Sequence, residues 1–187
     1  MLELVYPPEP ARTLGTLKPK TAEEMLPVVD PRGVVLAQAP RSLCHSPERP
    51  LHPVVHLQIL SRRGEFFLQK RSAAKKIYPL RWDTAVGGHV SYGEYISEAL
   101  FREAGEELSF FDFNPIFVDS YIYESDVERE LVCLFAAVGD FSLNPCNEEV
   151  SEGRWWTPSE LEAEKTALTP LFRQEFTAYK DRLLALL

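Results

Sequence analysis

Residues 88–110 read GHVSYGEYISEALFREAGEELSF, and the fold follows from how that stretch is laid on a helix. Ala-rich and straight-chain residues favour a helix from Tyr95 to Leu108. Glu94 and Glu98 in the first turns suit the positive end of the helix dipole. At about 100° per residue, Leu100, Phe101, Ala104 and Leu108 share one arc, a packing face. Glu103, Glu106 and Glu107 share a second arc beside it. Glu103 and Glu107 are a like-charge pair one turn apart, which opposes a helix by about 0.2–0.5 kcal/mol. Neither has a Lys or Arg four residues later. A hard divalent cation held by oxygens would offset that repulsion. A solvated acidic face is the plainer account of such spacing taken alone.

The rest of the chain bounds the answer. Its 187 residues suffice for one domain with a sizeable core. Composition is ordinary for a globular protein, 45% hydrophobic and 26% charged. A net charge of −8 argues against a nucleic-acid duplex as main partner, since phosphate binding leans on an excess of Lys and Arg. Three cysteines, Cys44, Cys133 and Cys146, form no CxxC pair, which fits a reducing, cytoplasmic compartment. No apolar run of membrane-spanning length occurs.

Residues 1–23 hold Pro7, Pro8, Pro10 and Pro19 and read as a flexible lead-in. Residues 24–187 read as a single domain. A hairpin is expected over Met25–Ala39 about the turn Pro31-Arg32-Gly33, then a loop to Pro50. Leu51–Ser61 is a strand buried on both faces, returned by Phe66–Arg71. Trp82–Val90 feeds the acidic helix; strands follow over Asn114–Tyr123, Glu130–Gly139 and Gly153–Thr157. Thr157 and Glu160 form a capping box for a helix over Pro158–Glu164. A last amphipathic helix spans Leu168–Leu187, with Phe172, Phe176, Tyr179, Leu183 and Leu187 on its core side. This order is α+β, a mixed sheet with helices on both faces.

Gly88, Glu94, Arg102, Glu103, Ala104, Glu106 and Glu107 match the pattern G-x5-E-x7-R-E-U-x-E-E-x-G-U, with U aliphatic. The stretch thereby resembles the Nudix box, and the fold it implies is the Nudix α-β-α sandwich. Ser109 departs from it, standing where the family usually has Gly. The resemblance implies a Mg2+ or Mn2+ site from Glu103, Glu106 and Glu107, with the Gly88 carbonyl often added. It also implies an Arg102–Glu94 salt bridge that shapes the loop onto the helix. The chemistry implied is that of a diphosphate hydrolase (pyrophosphohydrolase), water attacking a diphosphate with a carboxylate as base. The base is Glu106, Glu107 or a later-loop residue, for which Glu149 leads over Glu148. The basic stretch with Lys70, Arg71, Lys75, Lys76 and Arg81 precedes the box, and Arg71 and Lys75 are the choices for substrate phosphate.

All four histidines, His45, His52, His56 and His89, precede the helix. With PLHPVVHLQIL and WDTAVGGHVSYGE they resemble the isopentenyl-diphosphate-isomerase-like branch of the Nudix superfamily. That resemblance implies a second metal set at His45, His52, His89, Glu128 and Glu130, with His56 outside it, and places Trp155 at an active-site Trp. The isomerases carry a reactive Cys where this chain has Gly87, and their hydrolytic box is degraded while Glu106 and Glu107 stand here. Hydrolysis of a small, nucleotide-like diphosphate is therefore the expected activity, ahead of isomerisation and of a non-catalytic binding module. A homodimer stays open.

Overall fold

The computed structural model describes residues 1–7, 23–145, 148, 150–164 and 166–187. Nine strands and four helices occur among them: β1 Met25–Val29, β2 Val35–Pro40, α1 Arg41–Cys44, β3 His52–Leu60, β4 Phe66–Arg71, β5 Trp82–Asp83, β6 Val86–His89, α2 Ile96–Leu108, β7 Ile116–Glu124, β8 Arg129–Val138, β9 Val150–Trp156, α3 Pro158–Ala163 and α4 Pro170–Leu184. β1 and β2 form a two-stranded sheet. The larger mixed sheet runs β5-β4-β3-β8-β7, with β6 beside β3 and β9 beside β4. Among the described residues no helix is long and apolar enough to cross a membrane.

The chain divides into two compact units. The first comprises Met1–Val55, Gly88–Leu100 and Asp119–Cys133. Its β1–β2 hairpin is antiparallel, with Leu26 opposite Ala39. The turn is closed by Asp30, whose Oδ1 accepts the N–H groups of Arg32 (2.8 Å) and Val34 (3.0 Å). Gly33 takes φ +83°, open to glycine at little cost. Residues 1–7 are not a free lead-in. Val5 bridges Val34 in parallel, and Leu2, Leu4 and Tyr6 pack on a cluster of Val29, Val35, Leu51 and Leu131. Residues 8–22 of the expected flexible segment lie outside the described residues.

The second unit comprises His56–Gly87, Phe101–Val118 and Leu134–Leu187. Here β4 is the organising strand: it pairs antiparallel with β3, β5 and β9. Its sequence FFLQKR buries its first four residues, as a strand with neighbours on both edges requires. α3 starts at the expected Thr157–Glu160 capping box. α4 starts at Thr169, whose side chain accepts from Phe172 N–H. Phe172, Phe176 and Leu183 are buried, whereas Leu187 lies past the helix end and is exposed. β9 begins at Val150, earlier than the Gly153 expected, because it continues the ladder along β4 as far as Arg71.

Candidate active site

The acidic helix α2 starts where Tyr95 N–H donates to Glu98 Oε2 at 2.9 Å, and Glu94 accepts the N–H of Ser91 at 2.9 Å. It ends with Phe110 N–H returning to Ala104 O at 3.1 Å and Ser109 at φ +50°. That is the left-handed residue that closes a helix, usually Gly. Ser109 therefore keeps the family's turn at a cost of about 1–2 kcal/mol. Leu100, Ala104 and Leu108 are buried as expected. Phe101 is 36% exposed, a departure from the packing face, and lies against Phe113 at 4.8 Å between ring centroids.

The three carboxylates of the second arc differ sharply in surroundings. Glu107 is buried; its Oε2 accepts from Gln69 Nε2 at 3.0 Å and from the Gly87 N–H at 3.1 Å. Burial first, then the charge of Glu103, pushes its carboxyl up to about 8, against the hydrogen bonds from Gln69 and Gly87 and a smaller pull from Lys75. Glu103 is mostly buried and lies 2.7 Å from Arg102 Nη1; Glu106 is more than half exposed and lies 3.4 Å from the same nitrogen. The helix thus carries two offsets to its like-charge pair besides a dication: Arg102 on Glu103, and a proton on Glu107. The cation missing four residues after these acids is present before them.

A hard dication fits this arrangement. The donors are all oxygens, and the Oε1 of Gln69, the side chain that holds Glu107, is buried with no hydrogen-bond partner among the described residues. Lys75 is the basic-loop residue whose charge acts on Glu107. Arg71 is engaged elsewhere, donating to Ile77 O and to Asp83, both at 3.1 Å, so it braces the loop that carries Lys75. Gly88 follows Gly87 in β6 and is half-buried. Glu148 is exposed, and Glu149 lies outside the described residues.

The first unit holds the histidines. His45 follows α1, His52 opens β3 and His89 ends β6. Their ligand atoms all lie within 4.8 Å of one another, and His45 Nε2 is 3.0 Å from His89 Nε2. His52 Nδ1 lies 2.9 Å from the Pro50 carbonyl, so it carries the proton and leaves Nε2 as a lone pair. That Nε2 and His45 Nδ1 are buried and have no hydrogen-bond partner among the described residues. Glu130 Oε1 stands 4.0 Å from His52 Nε2. Burial holds His52 down at about 4 and lowers His45 as well. Clustered imidazoles, two of them with orphaned nitrogens, and a buried carboxylate beside them fit a borderline transition metal. Glu128 lies just before β8, half-buried. His56 belongs to the second unit, where its Nδ1 lies 2.9 Å from Glu175 Oε2.

A sequence profile of the NUDIX domain matches residues 50–178, more than half of the chain. The chain belongs to the NUDIX family. It is 31% identical over 153 residues to an isopentenyl-diphosphate Delta-isomerase of Corynebacterium glutamicum, covering 75% of this chain and 80% of the relative. It is 30% identical over 154 residues to an uncharacterised Nudix hydrolase of Yersinia pestis, covering 81% and 83%. A crystal structure from Deinococcus radiodurans superposes with a TM-score of 0.68 at 26% identity, covering 86% of this chain and 99% of that one.

Within this Nudix chain, sequence reasoning missed Gln69, the second residue that holds Glu107. Its signal was a lone amide closing the apolar run FFL on a strand with neighbours on both edges. Gln69 and Phe67 are directly opposite Gly153 and Trp155 in the β4–β9 ladder, so all four side-chain positions share one sheet face. Trp155 packs edge-on against Phe67 there, 5.3 Å between ring centroids.

Proposed function

We propose that this Nudix protein is a Mg2+-dependent hydrolase that cleaves the diphosphate bond of a nucleoside diphosphate linked to another group, or of a similar small diphosphate. The observation that carries the reading is the burial of Glu107 beside Glu103 with, among the described residues, two hydrogen-bond donors on one oxygen. A dication (Mg2+ or Mn2+) held by Glu103, Glu106 and Glu107 would neutralise the bridging phosphates and help to ionise the attacking water.

The protein's own groups divide the remaining work. Gln69 and the Gly87 N–H orient Glu107, and Arg102 orients Glu103. Glu107 or Glu106 accepts the proton of the attacking water, with Glu149 the third candidate. Lys75 offers a point charge to the substrate phosphates, and Arg71 shapes the loop that presents it. Trp155 shares the sheet face of Gln69 and offers a flat surface to the substrate's remaining moiety.

A second reading, an alkenyl-diphosphate isomerase, is favoured by the assembled histidines near Glu130 and by relatives named isomerases. Gly87 weighs against it, because a proton-moving side chain is missing at the position where the isomerases keep Cys. Incubation with a panel of nucleotide-linked and alkenyl diphosphates in Mg2+ or Mn2+ separates the two. Phosphate-bearing fragments mean hydrolysis; an isomeric diphosphate without fragments means isomerisation. Glu107→Gln is expected to lower hydrolysis by about 10²–10⁴-fold with an unchanged circular-dichroism spectrum. Normal turnover in saturating Mg2+ would remove Glu107 from its role.

A further inference from the structure

The loop between β4 and β5, within the second unit, carries Lys75 and is strained. Tyr78 has φ +47° and Leu80 φ +61°, one on each side of Pro79. Bulky side chains rarely enter that left-handed region, and they stay there only where the surroundings hold the backbone from several directions. Here the holds converge on Arg71. Its N–H donates to Arg81 O at 2.9 Å and its carbonyl accepts the Leu80 N–H at 3.1 Å, which closes the base of the loop. Its side chain reaches the Ile77 carbonyl through Nε at 3.1 Å and so ties down the residue next to Tyr78. Lys75 lies between that tie and one of its own, a hydrogen bond from its N–H to Ser72 O at 3.2 Å.

Asp83, the last residue of β5, holds Arg71 in turn. Asp83 Oδ2 accepts from Arg71 Nη1 at 3.1 Å, and both side chains are largely buried. Oδ1 is fixed separately, accepting from the Thr84 N–H at 3.0 Å and from Thr169 Oγ1 at 2.8 Å. Thr169 is the cap of α4, where the same hydroxyl oxygen accepts the Phe172 N–H at 3.2 Å. The Thr169 N–H also bonds Trp82 O at 2.9 Å. Each carboxylate oxygen thus has its own duty, Oδ1 towards the start of α4 and Oδ2 towards the loop. The guanidinium carries its donors in a rigid fork, so seating one arm on Asp83 sets where the other meets Ile77. An ion pair this buried seldom out-stabilises apolar packing of equal volume. The direction it gives Arg71 is what apolar packing could not supply.

We propose that Asp83 is a positioning residue for the substrate diphosphate: through the Arg71 fork it keeps the strained loop in the shape that presents Lys75. The assignment rests on the hydrolase reading for its consequence in turnover but not for its consequence in binding a diphosphate. A loop shaped before the ligand arrives spares binding the cost of ordering it.

The test is calorimetric titration of the full-length protein with inorganic pyrophosphate in Mg2+. Asp83→Asn keeps an oxygen for Thr169 and turns an amide towards Arg71, so it breaks the loop side of the arrangement. It is expected to lower pyrophosphate affinity by about 10-fold, as is Lys75→Met. The double variant should lose little beyond Lys75→Met alone, because a misplaced ammonium and an absent one are the same loss. Arg71→Lys retains the charge but has no second arm for Ile77 and should behave as Asp83→Asn does; it carries the test should Asp83→Asn fail to fold. In diphosphate cleavage the same variants should raise KM by a similar factor with kcat nearly kept. Parental affinity with a lowered Tm would make the pair merely structural and overturns the proposal. Losses that multiply in the double variant, or a parent that binds no pyrophosphate, overturn it too. Pyrophosphate binding that follows the expected pattern in a parent that cleaves no diphosphate would sink the hydrolase reading and leave Asp83 in its role.

Discussion

The acidic helix and the histidine cluster both bury candidate ligand atoms, and burial acts on the two in opposite directions. On the helix, burial makes Glu107 hold a proton it would release in water. In the cluster, burial makes His52 refuse a proton it would accept in water. Both groups sit neutral near neutral pH, and both spare the fold an unpaired buried charge. The donor atoms differ: oxygens on the helix suit a hard dication, and nitrogens in the cluster suit a softer one. On the proposed reading, loading a metal would release a proton at Glu107 and none at His52, which has none to lose at pH 7.

The largest test of this contrast is the number of ions bound. His52→Ala is expected to abolish binding of about one Zn2+ or Mn2+ per chain, seen by metal analysis after dialysis. Binding of Mg2+ that depends on Glu107 should persist. If His52→Ala also removes the Glu107-dependent site, the two regions are not separate and the comparison fails.

Acid and base should separate the regions by sign. Unfolded Glu107 titrates near its ordinary 4.5 and folded Glu107 near 8, so the folded chain binds the extra proton between those values. Its contribution to metal-free stability is present below pH 4.5 and is lost as pH rises towards 8. For His52 the folded value near 4 lies below the ordinary 6.5, so its contribution is present above pH 6.5 and is lost as pH falls towards 4. Tm measured across pH 4–8 in Glu107→Gln should show less loss on the alkaline side than the parent. Tm in His52→Phe should show less loss on the acid side. The same slope in parent and variant would remove that group from the balance.

How much of this was legible depends on how local each signal is. α2 and its acidic arc were readable because 3.6-residue periodicity lies within one short stretch, and the capping box at Thr157 and Glu160 lies within four residues. Arg102 and Glu106 are also within one turn, but the cation precedes the acid, and the favoured order of a helical pair puts it after. Leu2, Leu4 and Tyr6 alternate as a strand does, yet the prolines that follow drew the reading to a flexible segment. The histidines span positions 45 to 89, and no local rule joins them; only the family resemblance did. Gln69 against Glu107, and His56 against Glu175, depend on which strand and helix lie beside which. That is decided by the whole core rather than by any neighbouring sequence.

The smallest expected effect isolates electrostatics from ligation. Lys75 acts on Glu107 through its charge, whereas the shift of His52 comes from burial, the Pro50 carbonyl, His45 and Arg41. Lys75→Met should therefore raise the Glu107 carboxyl further, so that Mg2+ displaces a proton up to a higher pH than in the parent. Proton release on Mg2+ addition, measured calorimetrically in buffers of different ionisation enthalpy, reads this directly. Loss of one ammonium contact to phosphate should also raise KM by about 10-fold. Retention of the histidine-bound metal at parental affinity is the control that the contrast demands. A fall in that affinity would mean that Lys75 acts through the fold and not through its charge.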